Sequence, residues 1–147
     1  MYRILLVCTG NTCRSPMLEA LIKDKLKKLN KKAEIKSAGL SVQENDVVNQ
    51  KARKALKYRD IVIRHKPVLL TSAMLEKADT VIAMTDEHKN HLCRDKCFYK
   101  VYSLRETVGF NAFDPYGQSQ EVYDQCAELL DVAANIIIEN LNKAGKI

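Results

Sequence analysis

The residues best suited to chemistry stand together near the N-terminus, in Val7-Cys8-Thr9-Gly10-Asn11-Thr12-Cys13-Arg14-Ser15-Pro16. An apolar run, Ile4-Leu5-Leu6-Val7, leads straight into Cys8, and a helical pattern begins at Pro16. A loop of this length between a strand and a helix can curl until its backbone N–H groups converge on one point. That concavity suits a phosphate, with the helix N-terminus adding partial positive charge. Arg14 offers a planar fork of donors to two phosphate oxygens. Cys8 sits beneath the same anion site, where a positive field favours thiolate over thiol. A thiolate aimed at a bound phosphate is a nucleophile for phosphoryl transfer. Thr9, Gly10, Asn11, Thr12, Cys13, Arg14 and Ser15 are therefore candidate phosphate-binding residues. Gly10 permits close backbone approach, and Asn11 tolerates a left-handed backbone. Ser15 is expected as the N-cap and Pro16 as the first helical residue. The Ser15 hydroxyl can also donate to the Cys8 sulfur. A cysteine six residues ahead of an arginine says little alone. The preceding strand, the glycine and the helix start give the pair its meaning.

Displacing phosphate onto Cys8 requires the leaving atom to be protonated as it departs, and the same group can then activate water. Asp114 is the candidate. It lies in Gly109-Phe110-Asn111-Ala112-Phe113-Asp114-Pro115-Tyr116-Gly117, a segment with glycine at each end and no helical period. Pro115 restricts Asp114 to extended backbone, which can aim the side chain inward. An Asp-Pro pair also starts turns, so on spacing alone the two roles stay equally open. Tyr116 can wall the substrate pocket.

The elements that must position these groups alternate short β-like runs with amphipathic helices, which argues for a parallel sheet covered by helices. Strands are expected at about Tyr2–Val7, Ala33–Ser37, Thr80–Met84 and Tyr99–Tyr102. Leu18, Ile22, Leu26 and Leu29 mark the apolar stripe of a first helix. Val48, Ala52, Ala55 and Leu56 suggest a second, and Thr71–Lys77 a short third. Thr85 caps a fourth, with Asp86 and Glu87 in its first turn. Val122, Cys126, Leu129, Ala133, Ile136, Ile137 and Leu141 define a long last helix with these positions in the core, leaving Asp124 and Asp131 on its solvent side. The phosphate loop would then lie at the carboxyl end of the first strand, where open α/β sheets place their ligands.

At 147 residues the chain fits one domain, residues 1–147, large enough to bury a core. No secretory or membrane-spanning segment is evident, and five cysteines without regular spacing make no disulfide framework. A soluble, cytoplasmic monomer is the expectation. The net charge of +6 steers anionic substrates in general. Lys23, Lys25, Lys27, Lys28, Lys31 and Lys32 cluster on one helix without interleaved aromatics, which reads as a solvated face rather than a nucleic-acid surface.

The run Cys8-Thr9-Gly10-Asn11-Thr12-Cys13-Arg14-Ser15-Pro16 resembles the active-site loop of the low-molecular-weight protein tyrosine phosphatase family. Asp114-Pro115-Tyr116 matches the place of that family's general acid, and Ser37-Ala38-Gly39 is a third match in the family's order. The resemblance implies a single-domain α/β fold with a four-stranded parallel sheet in the order 2-1-3-4 and helices on both faces. It implies catalysis by Cys8, Arg14 and Asp114 through a phosphocysteine, on phosphorylated proteins, without metal or organic cofactor. It also implies a reversible disulfide between Cys13 and Cys8 that protects the nucleophile.

Within the family, tyrosine-directed members carry an aromatic wall after the Ser-Ala-Gly turn. Here that segment reads Leu40-Ser41-Val42-Gln43-Glu44-Asn45, and the chain has no tryptophan. Thr12 narrows the pocket and adds a hydroxyl beside the reacting phosphorus. With Met84-Thr85 and His88-Lys89 it resembles the bacterial protein-arginine phosphatase branch, which cleaves the N–P bond of phosphoarginine. Asp114 would protonate the leaving nitrogen and complement the guanidinium, and Phe110 and Phe113 can line the mouth or fill the core. The expected activity is thus a phosphoarginine phosphatase, with a tyrosine phosphatase as the alternative. An arsenate reductase would use the same loop, but relay its disulfide through a cysteine directly after the third strand. Met84 and Thr85 stand there, and Cys93 and Cys97 come later. A phosphate-recognition module without chemistry would need neither Cys8 nor Asp114. Cys93 and Cys97 with His88 and His91 lack a second paired metal motif, and with Cys126 and His65 they read as structural.

Overall fold

The computed structural model describes residues 1–94 and 100–147; Cys97 and Tyr99, the expected start of the last strand, lie outside the described residues. Strand β1 (Arg3–Cys8) is central. It pairs in parallel with β2 (Glu34–Gly39) on one side and β3 (Thr80–Ala83) on the other, and β3 pairs with β4 (Val101–Ser103). The order β2-β1-β3-β4 is the expected one. Ile4, Leu6 and Cys8 of β1 join one core, and Leu5 and Val7 join another. This is the period-two alternation of a strand covered on both faces.

The first core packs under helices α1 (Arg14–Lys28), α2 (Gln50–Lys57) and α6 (Gln120–Lys143). The second lies under α3 (Ser72–Lys77) and α4 (Asp86–Leu92), through Met74, Leu75 and Leu92. A five-residue helix, α5 (Leu104–Val108), has no counterpart in the sequence reading. It is too short for a period, and a capping box between Ser103 and Glu106 starts it while left-handed Gly109 ends it.

Three expectations shift. The buried stripe of α6 runs Tyr123, Cys126, Ala127, Leu130, Ala133, Ala134, Ile137, Ile138 and Leu141, so Val122, Leu129 and Ile136 sit at its margin rather than in the core. Leu29 is 56 % exposed, because α1 ends at Lys28 and the chain turns away at Asn30 in a left-handed conformation. Helix α2 begins at Gln50, capped by Asn49, which leaves buried Val48 just ahead of it. The lysines of α1 are largely spent in ion pairs, Lys23 with Glu19, Lys28 with Asp24 and Lys25 with Asp131, as a solvated helix face should be.

Gly39 explains why the second strand ends in Ser-Ala-Gly. A Cβ there would lie 2.8 Å from the Thr9 carbonyl oxygen, 2.7 Å from Val42 Cγ2 and 3.0 Å from Asn11 Cβ. Only glycine lets β2 pass this close behind the phosphate loop. Among the described residues, no helix is long and apolar enough to cross a membrane.

Candidate active site

The loop between β1 and α1 is held from behind through its carbonyl groups. Cys8 O accepts from Leu40 N–H at 3.0 Å, Thr9 O from Ser41 N–H at 2.9 Å and Thr12 O from Asn49 N–H at 2.8 Å. Tethering the carbonyls outward turns the intervening N–H groups the other way. Those of Gly10, Thr12 and Cys13 meet no protein acceptor among the described residues. Asn11, at φ 55°, supplies the left-handed kink that closes the curl.

The hydrogen-bond roles around the nucleophile can be assigned from one backbone group. Val68 N–H donates to Asn11 Oδ1 at 3.0 Å, so the other amide atom is the donor, to Ser15 Oγ at 2.8 Å and Ser37 Oγ at 2.9 Å. Ser15, receiving that bond, has its own proton left for Cys8 Sγ, 2.8 Å away. Asn11 N–H is also directed at Cys8 Sγ, at 3.3 Å. The sulfur therefore faces two donors, the arrangement a thiolate needs. His65 Nε2 must donate to Asn11 Oδ1 at 2.7 Å, and the Ser37 hydroxyl donates to Oε1 of buried Glu19 at 2.5 Å. His65 is held below the ordinary histidine range by burial, opposed by the nearby Glu19 carboxylate. His65 was expected to be structural; it is, and its structure is that of the loop.

The helix start differs from the expectation: α1 begins at Arg14, so Pro16 is its third residue rather than its first. Cys13, not Ser15, occupies the N-cap, and it makes no side-chain cap bond. Ser15 lies inside the first turn, fully buried, because its hydroxyl is committed to Cys8 and Asn11. Cys13 Sγ lies 3.4 Å from the Tyr123 hydroxyl, and burial pushes its thiol above the ordinary value.

Arg14, 7 % exposed, bridges to the other half of the site. One guanidinium nitrogen donates to the Ala112 carbonyl oxygen at 3.1 Å, and another stands 3.7 Å from Asp114 Oδ2. Asp114 Oδ1 meanwhile accepts from Tyr116 N–H at 3.1 Å. Asp114 thus starts a turn and faces the site at once, so the two roles left open by spacing coexist. Phe113 is 42 % exposed and Phe110 packs against the main core.

A cavity of about 330 Å³ opens here, lined by Cys8 to Arg14 together with Asp46, Asp114 and Tyr116. The structure brings every expected site residue to this place: the loop, Asp114 and Tyr116 line the cavity, and Ser15 lies directly beneath Cys8. Sequence reading did not find Asp46, Glu19 or the role of His88. His88 Nε2 lies 2.8 Å from Thr9 Oγ1, and its Nδ1 lies 3.0 Å from Thr85 Oγ1. Burial, then the positive charge of Arg14, push His88 down to about 4, so the ring is neutral near neutral pH. Met84, at the place of a relay cysteine, is buried, and Thr85 is the cap of α4. Among the described residues, no three His, Cys, Asp or Glu side chains are grouped to hold a metal ion.

A thiol on the central strand, an anion-binding loop, a buried arginine and a carboxyl group across one cavity define a cysteine-based phosphoryl-transfer site. The family model for "Low molecular weight phosphotyrosine protein phosphatase" matches residues 3–146, and the chain belongs to that family of hydrolases. It is 35 % identical over 145 residues to the "Protein-arginine-phosphatase" of Bacillus subtilis (strain 168), covering 95 % of this chain and 97 % of that one. A structure of the YwlE arginine phosphatase, a mutant with a phosphorylated active site serine, superposes with a TM-score of 0.91 at 34 % identity, covering 96 % of each chain. The low molecular weight protein tyrosine phosphatase of T. tengcongensis superposes with a TM-score of 0.90 at 39 % identity, over 96 % of this chain and all of that one.

Proposed function

We propose that this protein removes phosphate from phosphoarginine in proteins, with Cys8 as nucleophile, Arg14 as phosphate ligand and Asp114 as proton donor. The inward N–H groups and Arg14 would hold the three phosphoryl oxygens and take up the charge that builds on them. Cys8 attacks phosphorus, the N–P bond breaks, and Asp114 delivers its proton to the departing guanidine nitrogen. Asp114, now a carboxylate, takes a proton from water, which attacks phosphorus and frees the Cys8 thiolate. Ser15 and Asn11 stabilise that thiolate as it leaves. No step calls on a metal or organic cofactor.

The observation that carries the arginine assignment is the lining of the cavity. Thr12 stands within the loop, two carboxyl groups, Asp46 and Asp114, share the lining with the aromatic ring of Tyr116, and the segment Leu40–Asn45 brings no aromatic side chain to it. Similarity to the Bacillus subtilis protein-arginine-phosphatase supports the same reading. One feature favours phosphotyrosine instead: Tyr116 lines the mouth and is 71 % exposed, so its ring is available to stack.

The deciding experiment compares kcat/KM for matched phosphoarginine and phosphotyrosine peptides, with Cys8→Ser as the blank. Phosphoarginine should be preferred, and Thr12→Ile should weaken that preference by removing a hydroxyl and adding bulk beside the phosphorus. A wild-type preference for phosphotyrosine would overturn the arginine assignment and leave the phosphocysteine route in place.

A further inference from the structure

Asp46 lines the catalytic cavity, yet nothing in the phosphoryl-transfer route uses it. It lies in the turn between β2 and α2, partly buried. Its Oδ2 accepts from Gln43 N–H at 2.8 Å, and its own N–H donates to Gln43 O at 3.1 Å. Three residues later Asn49 N–H is bonded to Thr12 O, so the turn is fastened to the phosphate loop itself. Among the described residues Asp46 makes no ion pair, and Oδ1 has no partner. The turn uses one carboxylate oxygen, and the residue lines the cavity with the other unengaged.

A carboxylate at the rim of a phosphate pocket is costly unless something positive sits between it and the phosphate. A phosphotyrosine ring carries no positive charge, and for it Asp46 contributes only repulsion. Phosphoarginine differs, because the guanidinium nitrogens beyond the N–P bond retain N–H donors and positive charge. Asp114 cannot serve that cation throughout, since as proton donor it must be neutral when transfer begins. Asp46 moves no proton and can hold its charge through the whole cycle. Building repulsion against the wrong ligand and attraction for the right one is how a shared site acquires specificity.

We propose that Asp46 is a specificity-determining residue that binds the guanidinium of phosphoarginine, an inference that rests on the arginine reading above. Its contribution is that of a partly solvated ion pair, roughly a fivefold preference. Asp46→Asn is the direct test, because its amide oxygen can still accept from Gln43 N–H and keep the turn. With matched peptides, the ratio of kcat/KM for phosphoarginine to that for phosphotyrosine should fall roughly fivefold, mainly through KM for phosphoarginine. Asp46→Glu should restore much of the ratio, since it returns the charge. In the wild type, added salt should raise KM for phosphoarginine more than it does in Asp46→Asn. An unchanged ratio, or an equal loss on both peptides that Asp46→Glu does not rescue, would overturn the assignment of Asp46 and leave the arginine reading standing. A wild-type preference for phosphotyrosine would instead overturn that reading, and the role of Asp46 with it.

Discussion

Thr9 Oγ1 and His88 Nε2 lie 2.8 Å apart, joining the residue after the nucleophile to the first turn of α4. A neutral imidazole must donate at one nitrogen and accept at the other, so its bonds to Thr9 and Thr85 use both. Protonation makes both nitrogens donors and adds a positive charge facing Arg14, which is why the folded protein resists it.

That resistance sets a pH dependence of stability. His88 is held at about 4, against an ordinary value of 6.5. Between those values the unfolded chain binds the extra proton and the folded one does not. Stability is therefore whole above about 6.5 and falls as pH is lowered toward 4. His65, also held low by burial, acts in the same direction. In His88→Gln the fall in thermal midpoint between neutral pH and about pH 5 should be smaller than in wild type by roughly 4 °C. Equal falls in both proteins would show that His88 does not carry the effect.

Asp114 and Cys8 should separate kinetically. Cys8→Ser is expected to abolish measurable turnover, because a serine is a weaker nucleophile than a thiolate and a far poorer leaving group from phosphorus in the second step. Asp114→Asn should lower kcat by roughly 10²- to 10³-fold with a good substrate leaving group affected least. A variant at Asp114 that loses the same factor on p-nitrophenyl phosphate as on a phosphoarginine peptide would argue against a proton-donating role.

Gly39→Ala should damage both stability and activity. The added methyl meets the Thr9 carbonyl oxygen and Asn11 at once, so the loop or the strand must shift. Overpacking of this kind costs about 1–3 kcal/mol. Denaturant unfolding should register that loss, and kcat/KM should fall because the displaced atoms belong to the phosphate loop. Full activity in a stable Gly39→Ala protein would contradict the close approach described above.

Cys13 gives a redox prediction. Oxidation of the Cys8 thiolate to a sulfenic acid would be followed by attack from Cys13, releasing water and forming a disulfide between them. Peroxide-treated wild type should regain activity with dithiothreitol, and Cys13→Ser should not. Tyr123→Phe, which removes a hydroxyl bond that favours the Cys13 thiolate, should close the disulfide more slowly. Recovery of Cys13→Ser equal to wild type would remove Cys13 from this role.

Much of this was legible in the sequence because the information was local. The apolar run into Cys8, the left-handed Asn11 and the cap at Thr85 each depend on near neighbours, and each is found in the structure. The register of α6 was misread because Ile136, Ile137 and Ile138 are consecutive and fit two stripes equally well; packing against α1 and α2 decides between them. Ser15 looked like an N-cap because cap preference is local, whereas its bond to Cys8 belongs to the folded loop. Asp46, Glu19 and His88 could not be found that way. Asp46 and His88 reach the site from distant segments, Glu19 acts through Ser37 and His65, and nothing in their flanking residues announces these contacts.

The placement of Cys8 on the central strand has a consequence for biosynthesis. β1 leaves the ribosome before both of its neighbours, which begin at Glu34 and Thr80, and the helix over its thiol-bearing face ends at Lys143. The carbonyl tethers of the loop come early, from Leu40, Ser41 and Asn49, but its arginine bridge waits for Ala112 and Asp114. On the proposed mechanism, a fragment that ends before Asp114 lacks the proton donor and part of the arginine bridge, and should not turn over substrate.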